Sequence, residues 1–212
     1  MIRLIINADD FGISKLFNEK IIELLEKGFI KSATVMVNRI TKEQDKQLEH
    51  LIRLNSSRTI SIGLHLEIDV EKPIRQQMEA QYASFNSIFG FTPSHIDIHK
   101  LVHSKEVVEE ANSMAEKLHV PVRNHGIKAN AKQTDYPAFS CSGWVLKMDE
   151  VTKFLQSVKE GSSCELITHP GQYDPKSASR INKEREEDYN VIVKLQEFLK
   201  SNNIKNISYR EL

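Results

Sequence analysis

The chain has 212 residues, of which 40% are hydrophobic, so it can bury a substantial core and fits one domain, 1–212, better than two. Lysine plus arginine and aspartate plus glutamate both total 29, so no net attraction to nucleic acid or to an anionic membrane is expected. Cys141 and Cys164 have no metal-ligand spacing, and the apolar N-terminal run is too short for a signal peptide or a membrane span. We therefore expect a cytoplasmic protein with reduced thiols and without a nucleic-acid or membrane partner.

Short β-branched runs alternate with longer amphipathic runs, which is typical of a mostly parallel sheet with helical crossovers. Strands are predicted at 2–7, 33–38, 59–67, 95–98, 120–123, 164–168 and 206–209. Helices are predicted at 13–27, 42–54, 74–89, 105–118, 148–159 and 184–201. Seven strands fit either an open doubly wound α/β sheet or a barrel that resembles the eight-stranded TIM barrel with one strand missing. The pattern assigns no element to 126–144.

Polar side chains end five of the predicted strands. They are Asp9 and Asp10 after the first strand, His65 after the third, His99 after the fourth, Arg123 after the fifth and His169 after the sixth. Ligands bind at the carboxyl ends of parallel strands, so these side chains are expected at one rim. Alternation along the fourth strand also groups His95, Asp97 and His99 on one face. Two imidazoles with one carboxylate can hold Zn²⁺ or another divalent ion, so the pattern indicates a metal-dependent hydrolase.

Single residues in this set also have structural interpretations. The Asp9-Asp10 pair could cap a helix or form a turn, and His65 could be a half-buried side chain with ordinary hydrogen bonds. His169 precedes a Pro-Gly turn and could merely lie at a bend. Arg123 could be a structural ion-pair partner. The functional interpretation is favoured because these residues all fall on the same predicted rim.

Two further positions stay open at this stage. His95, His99 and His103 are spaced either as neighbours on a helix or as strand residues followed by a loop, and either geometry can bring two of them to one metal. Trp144 is interpreted as a core or rim residue rather than a sugar platform, although an exposed aromatic ring would suit a sugar.

Five segments, in this order, resemble the motifs of the YdjC-like carbohydrate deacetylases, and the resemblance covers nearly the whole chain. The segments are Asn7-Ala8-Asp9-Asp10-Phe11-Gly12, Gly63-Leu64-His65-Leu66, His95-Ile96-Asp97-Ile98-His99-Lys100-Leu101-Val102-His103, Val120-Pro121-Val122-Arg123 and Thr168-His169-Pro170-Gly171. The resemblance implies a distorted TIM-like (β/α) barrel of about seven parallel strands. It also implies one divalent ion, Mg²⁺ or Zn²⁺, and removal of acetyl groups from N-acetylated sugars or oligosaccharides.

The resemblance also implies roles for single residues. Asp10, His65 and His99 would be the metal ligands, Asp9 the catalytic base and His169 the general acid. Arg123 would orient Asp9 or bind substrate. His103 and Asp97 are assigned to substrate binding or to support of the metal ligands.

The chain departs from the family pattern at two places. Leu101 stands where family members usually carry another histidine, and the segment 67–76 is shorter than the usual insertion after the Gly-Leu-His-Leu motif. The short segment predicts a more open site.

Two other functions compete with the deacetylase interpretation. One is another metal-dependent hydrolase such as a phosphoesterase, which would be expected to place more basic residues at the strand ends than Arg123, Lys100 and Arg210. The other is a non-catalytic sugar-binding protein on the same scaffold. A small N-acetylated sugar is the expected partner, and a homodimer is left open because no residue argues for it.

Overall fold

A computed structural model describes residues 1–100 and 104–212, so Leu101 and the predicted site residue His103 lie outside the described residues. Six strands form one sheet: β1 (Ile2–Phe11), β2 (Ser32–Val35), β3 (Ser61–Leu66), β4 (Ile96–Ile98), β5 (Ser163–Thr168) and β6 (Ile204–Ile207). All the pairings are parallel, and the order is β4-β3-β2-β1-β5 with β6 also on β1. The carboxyl ends of the strands therefore meet at one edge.

The central strand β1 pairs with three other strands, β2, β5 and β6. β5 pairs with it from Arg3 to Ala8, whereas β6 pairs with its first half and β2 with its second half, from Asn7 to Phe11. Every residue from Leu4 to Phe11 is buried. This double burial explains why the strand reads as a nearly continuous apolar run that changes to Asn7, Asp9 and Asp10 only at its carboxyl end.

The structure confirms a single α/β unit with a parallel sheet but not the seven-stranded barrel. The predicted strand at 120–123 contributes only one bridge, between Val122 and Ile96, and a second isolated bridge joins Phe139 to Leu166. Pro121 lacks a backbone N–H, which limits ladder pairing in this stretch. The chain from 119 to 147 thus lines the sheet between β4 and β5 with irregular backbone.

In the described part of the chain, six α-helices connect the strands: α1 (Lys15–Glu26), α2 (Asp45–Asn55), α3 (Ile74–Phe89), α4 (Lys105–Leu118), α5 (Met148–Ser157) and α6 (Arg185–Ser201). Two begin at serine caps, because Ser14 accepts a hydrogen bond from the backbone of Leu16 and Ser104 accepts one from Val107. The bounds of α3 and α4 coincide with the prediction. None of the helices in 1–100 and 104–212 is long and apolar enough to cross a membrane.

The sheet packs its apolar face on the helices and keeps polar side chains on the other. Leu4, Ile6, Ile62 and Leu64 belong to the main apolar core. The opposite face buries polar and charged side chains: Asn7, Asp9, Ser32, Thr34, Ser61, His65, His95, Asp97 and Glu165. After β6, Tyr209 enters this polar interior and stacks on His95 with ring centroids 3.8 Å apart.

Candidate metal and catalytic site

The carboxyl end of β1 is irregular where its two aspartates lie. The register with β2 shifts between Ala8 and Phe11, and Asp10 has a left-handed backbone with φ of 70°. Such a bulge redirects side chains at the end of a strand. Consecutive residues of a regular strand would point to opposite faces, whereas here both Asp9 and Asp10 approach His65. The bulge therefore brings both carboxylates to one site.

Asp10, His65 and His99 come from three strand ends and meet at one point. Oδ1 of Asp10 lies 3.4 Å from Nε2 of His65 and 3.2 Å from Nδ1 of His99, and the two imidazole nitrogens are 3.2 Å apart. Among the described residues, Oδ1 of Asp10 accepts no hydrogen bond although it is buried. Two imidazole nitrogens thus converge on a buried carboxylate oxygen that accepts no hydrogen bond. These three atoms fit the ligand set of a cation.

Asp97 orients His65 toward this point. Its Oδ1 lies 2.6 Å from Nδ1 of His65, so Nδ1 carries the proton and Nε2 is left facing Asp10. A carboxylate that binds the far nitrogen of a ligand histidine is a common support in metal sites. Burial would lower the pKa of His65, but Asp97, Asp9 and Asp10 raise it to about 10, so a proton and a cation compete for Nε2.

Asp9 is held by a buried guanidinium rather than by the imidazoles. Nη1 and Nη2 of Arg123 donate to its two oxygens at 2.8 and 2.6 Å, and Asn7 donates to Oδ1 at 2.7 Å. Burial would raise the pKa of Asp9, but Arg123 and then His65 outweigh it and hold this pKa well below its usual range. Asp9 is therefore an ionised carboxylate fixed beside the Asp10–His65–His99 group.

A second group of possible ligands, Asp9, His65 and Asp97, is geometrically close but chemically unsuited. Arg123 contacts both of its carboxylates, with Nη2 at 2.8 Å from Asp97. Its positive charge already occupies the position between the two acids, and this group is completely buried. The Asp10 group instead reaches the surface, since 24% of the His99 side chain is exposed.

Arg185 was absent from the sequence prediction and proves to be a close partner of the site. Its Nη2 donates to Oδ2 of Asp10 at 2.6 Å, and its guanidinium lies 4.1 Å from the ring centre of Phe17. The same side chain reaches the carbonyl of His169 and the hydroxyl of Ser179. Burial would raise the pKa of Asp10, but its contacts with His65 and His99, followed by Arg185, hold it well below its usual range.

The loop after β5 carries His169, and a second unpredicted residue, Asp188 on α6, holds it in place. Oδ2 of Asp188 accepts the His169 backbone N–H at 2.7 Å, and Oδ1 accepts that of Leu146 at the same distance. Nδ1 of His169 is buried without a hydrogen-bond partner among the described residues. Arg185 donates both to the His169 carbonyl and to Oδ2 of Asp10, so the loop at His169 lies beside the same site.

Two further buried polar residues, Glu165 and Tyr209, hold Arg123 in place. Its Nε donates to Glu165 at 3.0 Å, and the hydroxyl of Tyr209 donates to the other oxygen of Glu165. Burial raises the pKa of Glu165 despite both contacts. Gly63 leaves room for the His95 ring, which stacks on Tyr209, because a Cβ at Gly63 would lie 2.5 Å from that ring. The glycine of Gly-Leu-His-Leu thus has a packing function in this chain.

An open cleft of about 370 Å³ adjoins His99. It is lined mostly by polar residues: Asn38, Arg39, Glu67, Ile68, Asp69, Lys72, Gln77, His99 and Lys100. Arg39 pairs with Glu67, and Lys72 lies 2.9 Å from Asp69, so most of its charges are balanced. The short segment 67–76 supplies one wall. The remaining basic candidate, Arg210, contacts Ile60 and Asn55 at the opposite end of β3 and lies away from this rim.

A parallel α/β sheet with two imidazoles and a carboxylate at its carboxyl edge defines a class of protein with a hydrolase-type metal site. The YdjC-like protein family model matches residues 3–76 and 69–201. The chain belongs to this YdjC-like family.

One sequence relative and two solved structures with a similar fold are similar to this chain. A carbohydrate deacetylase of Clostridium beijerinckii is 30% identical, with 99% of this chain and 100% of the relative aligned. A solved protein of Enterococcus faecalis V583, provisionally named for cellobiose-phosphate cleavage, has a TM-score of 0.83 at 21% identity, covering 99% of this chain and 98% of that one. A family 4 acetyl xylan esterase of Clostridium thermocellum, in complex with cobalt, has a TM-score of 0.60 at 15% identity, covering 99% and 89%.

The alignments also show a difference in length between this chain and its relative. The match to the Clostridium beijerinckii protein runs over 254 positions, more than the 212 residues of this chain, so that relative carries residues that are missing here. The family match is divided at 69–76, where the segment that lines the cleft beside His99 lies.

Proposed function

We propose that the chain is a divalent-metal-dependent carbohydrate deacetylase that hydrolyses the acetamide of an N-acetylated sugar or oligosaccharide. The observation that carries this proposal is the convergence of Asp10, His65 and His99 beside an ionised Asp9. The relatives named carbohydrate deacetylase support it, as does the fold shared with an acetyl xylan esterase.

The proposed ligands of the ion are Oδ1 of Asp10, Nε2 of His65 and Nδ1 of His99. Nitrogen donors suit Zn²⁺ and similar transition ions, whereas Mg²⁺ prefers a site made of oxygens, so of Mg²⁺ and Zn²⁺ we favour Zn²⁺. When bound, such an ion supplies Lewis-acid polarisation of the acetyl carbonyl and acidifies the attacking water. Arg185 occupies the other oxygen of Asp10 and so leaves Oδ1 for the ion.

Asp9 is the proposed general base. Its Oδ2 lies 3.8 Å from Nε2 of His65, at the border of the metal group, and Arg123 fixes its orientation. A carboxylate held ionised by Arg123 is always available to accept a proton from water. Its basicity is weak, so the reaction depends on the ion to acidify that water.

His169 is the proposed general acid for the departing amine. Asp188 fixes its backbone, and Arg185, which donates to Oδ2 of Asp10, also donates to the His169 carbonyl. Proton donation at the leaving nitrogen by a positioned side chain typically accelerates hydrolysis by about 10²–10⁴. The proposed acid and base thus lie at the carboxyl ends of two paired strands, β5 and β1.

The charge arrangement favours an amide over a phosphate ester. Arg123 and Arg185 are both buried, and both are committed to carboxylates of this chain. Neither guanidinium is left to bind a phosphoryl group, which a phosphoesterase site would require. The balanced polar cleft beside His99 instead suits the hydroxyl groups of a sugar.

Acetate release from a panel of N-acetylated mono- and oligosaccharides, with and without a chelator, tests the proposal. We expect release by the wild type that is lost on chelation and restored by Zn²⁺. Asp9→Asn should abolish it, whereas Asp149→Asn, which changes an exposed aspartate on α5, should not. Absence of metal-dependent acetate release from every sugar in the panel would contradict the proposed function.

A further inference from the structure

Two aromatic side chains are exposed in the part of the chain that the structure describes, Trp144 at 39% and Tyr173 at 44%. Both lie in loops at the carboxyl edge of the sheet. Phe139 pairs in parallel with Leu166 of β5, so the chain that follows Phe139 emerges at the same edge as His169. Tyr173 lies four residues beyond His169 in the loop that leaves β5.

One carboxylate connects the Trp144 turn to the His169 loop. Asp188 accepts the backbone N–H of Leu146 with one oxygen and that of His169 with the other, each at 2.7 Å. Trp144 is only two residues from Leu146. A single buried side chain therefore fixes the position of the turn relative to the proposed general acid.

The turn holds Trp144 at the surface in a costly conformation. Gly143 and Trp144 both have left-handed backbones, with φ of 76° and 66°, and for a bulky aromatic residue this conformation is rare. Glu150 secures the turn by accepting two hydrogen bonds from Ser142, at 2.8 and 2.6 Å. Strained residues that are secured in this way tend to occur where a ligand binds.

The loop that carries Tyr173 is also held by hydrogen bonds. Glu186 accepts the Tyr173 backbone N–H at 3.1 Å, and the next residue, Asp174, accepts the hydroxyl of Ser14 at 2.5 Å. Asn182 closes the loop by contacting both the backbone N–H and the carbonyl of Asp174. Both aromatic rings are thus carried by ordered loops on the His169 side of the site.

We propose that Trp144 and Tyr173 form a second sugar subsite, which binds the pyranose ring next to the one that carries the scissile acetyl group. The aromatic face offers apolar contact to the C–H face of a pyranose, and the loops leave the sugar hydroxyls in water. This inference rests on the proposed function and deepens it, because it names two residues that would favour an oligosaccharide over a free monosaccharide. The polar cleft beside His99 lies on the other side of the metal group.

The single tryptophan of the chain gives a direct readout of this subsite. Metal-free wild-type protein, which does not turn over, is titrated with N-acetylglucosamine and with its β-1,4-linked dimer and tetramer while tryptophan emission is followed. We expect a saturable change in emission with the dimer and the tetramer at concentrations at which the monosaccharide gives none. No change with any oligosaccharide overturns the proposal.

Kinetics of the zinc-loaded enzyme provide the second measurement. Trp144→Ala and Tyr173→Ala should each raise KM for the tetramer by about tenfold, with kcat and the kinetics of the monosaccharide unchanged within about twofold. Trp144→Phe, which keeps a ring, should restore most of the loss, and Val193→Ala on α6 is the control for removing an exposed apolar side chain.

The possible failures are distinguishable. Equal loss on the monosaccharide and the tetramer would indicate a structural role for the aromatic residues and would overturn the subsite. If the wild type releases no acetate from any sugar, the proposed function fails, and the fluorescence titration still decides whether the aromatic pair binds oligosaccharides.

Discussion

Arg185 provides the sharpest test of how the site is held together. It is buried, its guanidinium lies 2.6 Å from Oδ2 of Asp10, and it packs on Phe17. Arg185→Gln keeps a polar side chain of moderate length but removes the positive charge. Oδ2 of Asp10 would then be a buried carboxylate oxygen that has lost its cationic partner.

The expected cost follows from the burial of both partners. Removing one member of a buried ion pair typically destabilises a protein by about 3–5 kcal/mol, because the other charge stays buried and unpaired. For a domain of this size, that corresponds to a fall in melting temperature of roughly 6–20 °C. Because a divalent ion at Oδ1 supplies another positive charge to Asp10, the loss should be smaller in saturating Zn²⁺ than in a chelator.

Thermal and denaturant unfolding, each with chelator and with Zn²⁺, measure this effect. Arg185→Lys retains the charge and one donor and should lose less stability than Arg185→Gln. Arg180→Gln, which changes an exposed arginine in the loop before α6, should alter stability by less than about 0.5 kcal/mol. If Arg185→Gln lowered the free energy of unfolding by less than about 1 kcal/mol, the Arg185–Asp10 ion pair would not make the contribution expected of a buried pair.

Two other substitutions test separate parts of the site. Gly63→Ala should lower the free energy of unfolding by about 1–3 kcal/mol, because the added methyl group would overlap the His95 ring, which Tyr209 holds from its other face. Chemical denaturation measures this, and if the loss persists in a His95→Ala background, overlap with the ring is not its cause. His169→Ala should lower kcat by about 10²–10⁴ while Zn²⁺ affinity by calorimetry stays unchanged; an unaltered kcat would remove His169 from the general-acid role.

The order of strands and helices was predictable because it depends on local periodicity. Buried parallel strands give short apolar runs and the crossover helices give amphipathic ones, so α3 and α4 were predicted to the residue. The strand predicted at 120–123 was wrong beyond one bridge. Val120 and Val122 are β-branched and at least partly buried as in a strand, but extended pairing depends on neighbours that the local pattern does not contain.

The partners of the site residues were less predictable. Asp9, Asp10, His65, His99, Arg123 and His169 were identified because each ends a predicted strand, and strand ends meet in this type of sheet. Asp188 lies in the first turn of α6, where acidic residues are expected for helix stability alone, and Arg185 is simply the first residue of that amphipathic helix. Glu165 lies within a strand whose neighbours are apolar. Nothing in the local sequence distinguishes these three residues from structural ones.

The sequence by itself therefore determined the class of fold, the rim on which the polar residues lie and the residue types available for chemistry. Only the tertiary structure decided how the charges pair: Arg123 with Asp9, Asp97 and Glu165, and Arg185 with Asp10. The physical reason is distance along the chain. Local periodicity encodes which face of an element is buried, whereas an ion pair between residues 10 and 185 exists only after the sheet has closed around it.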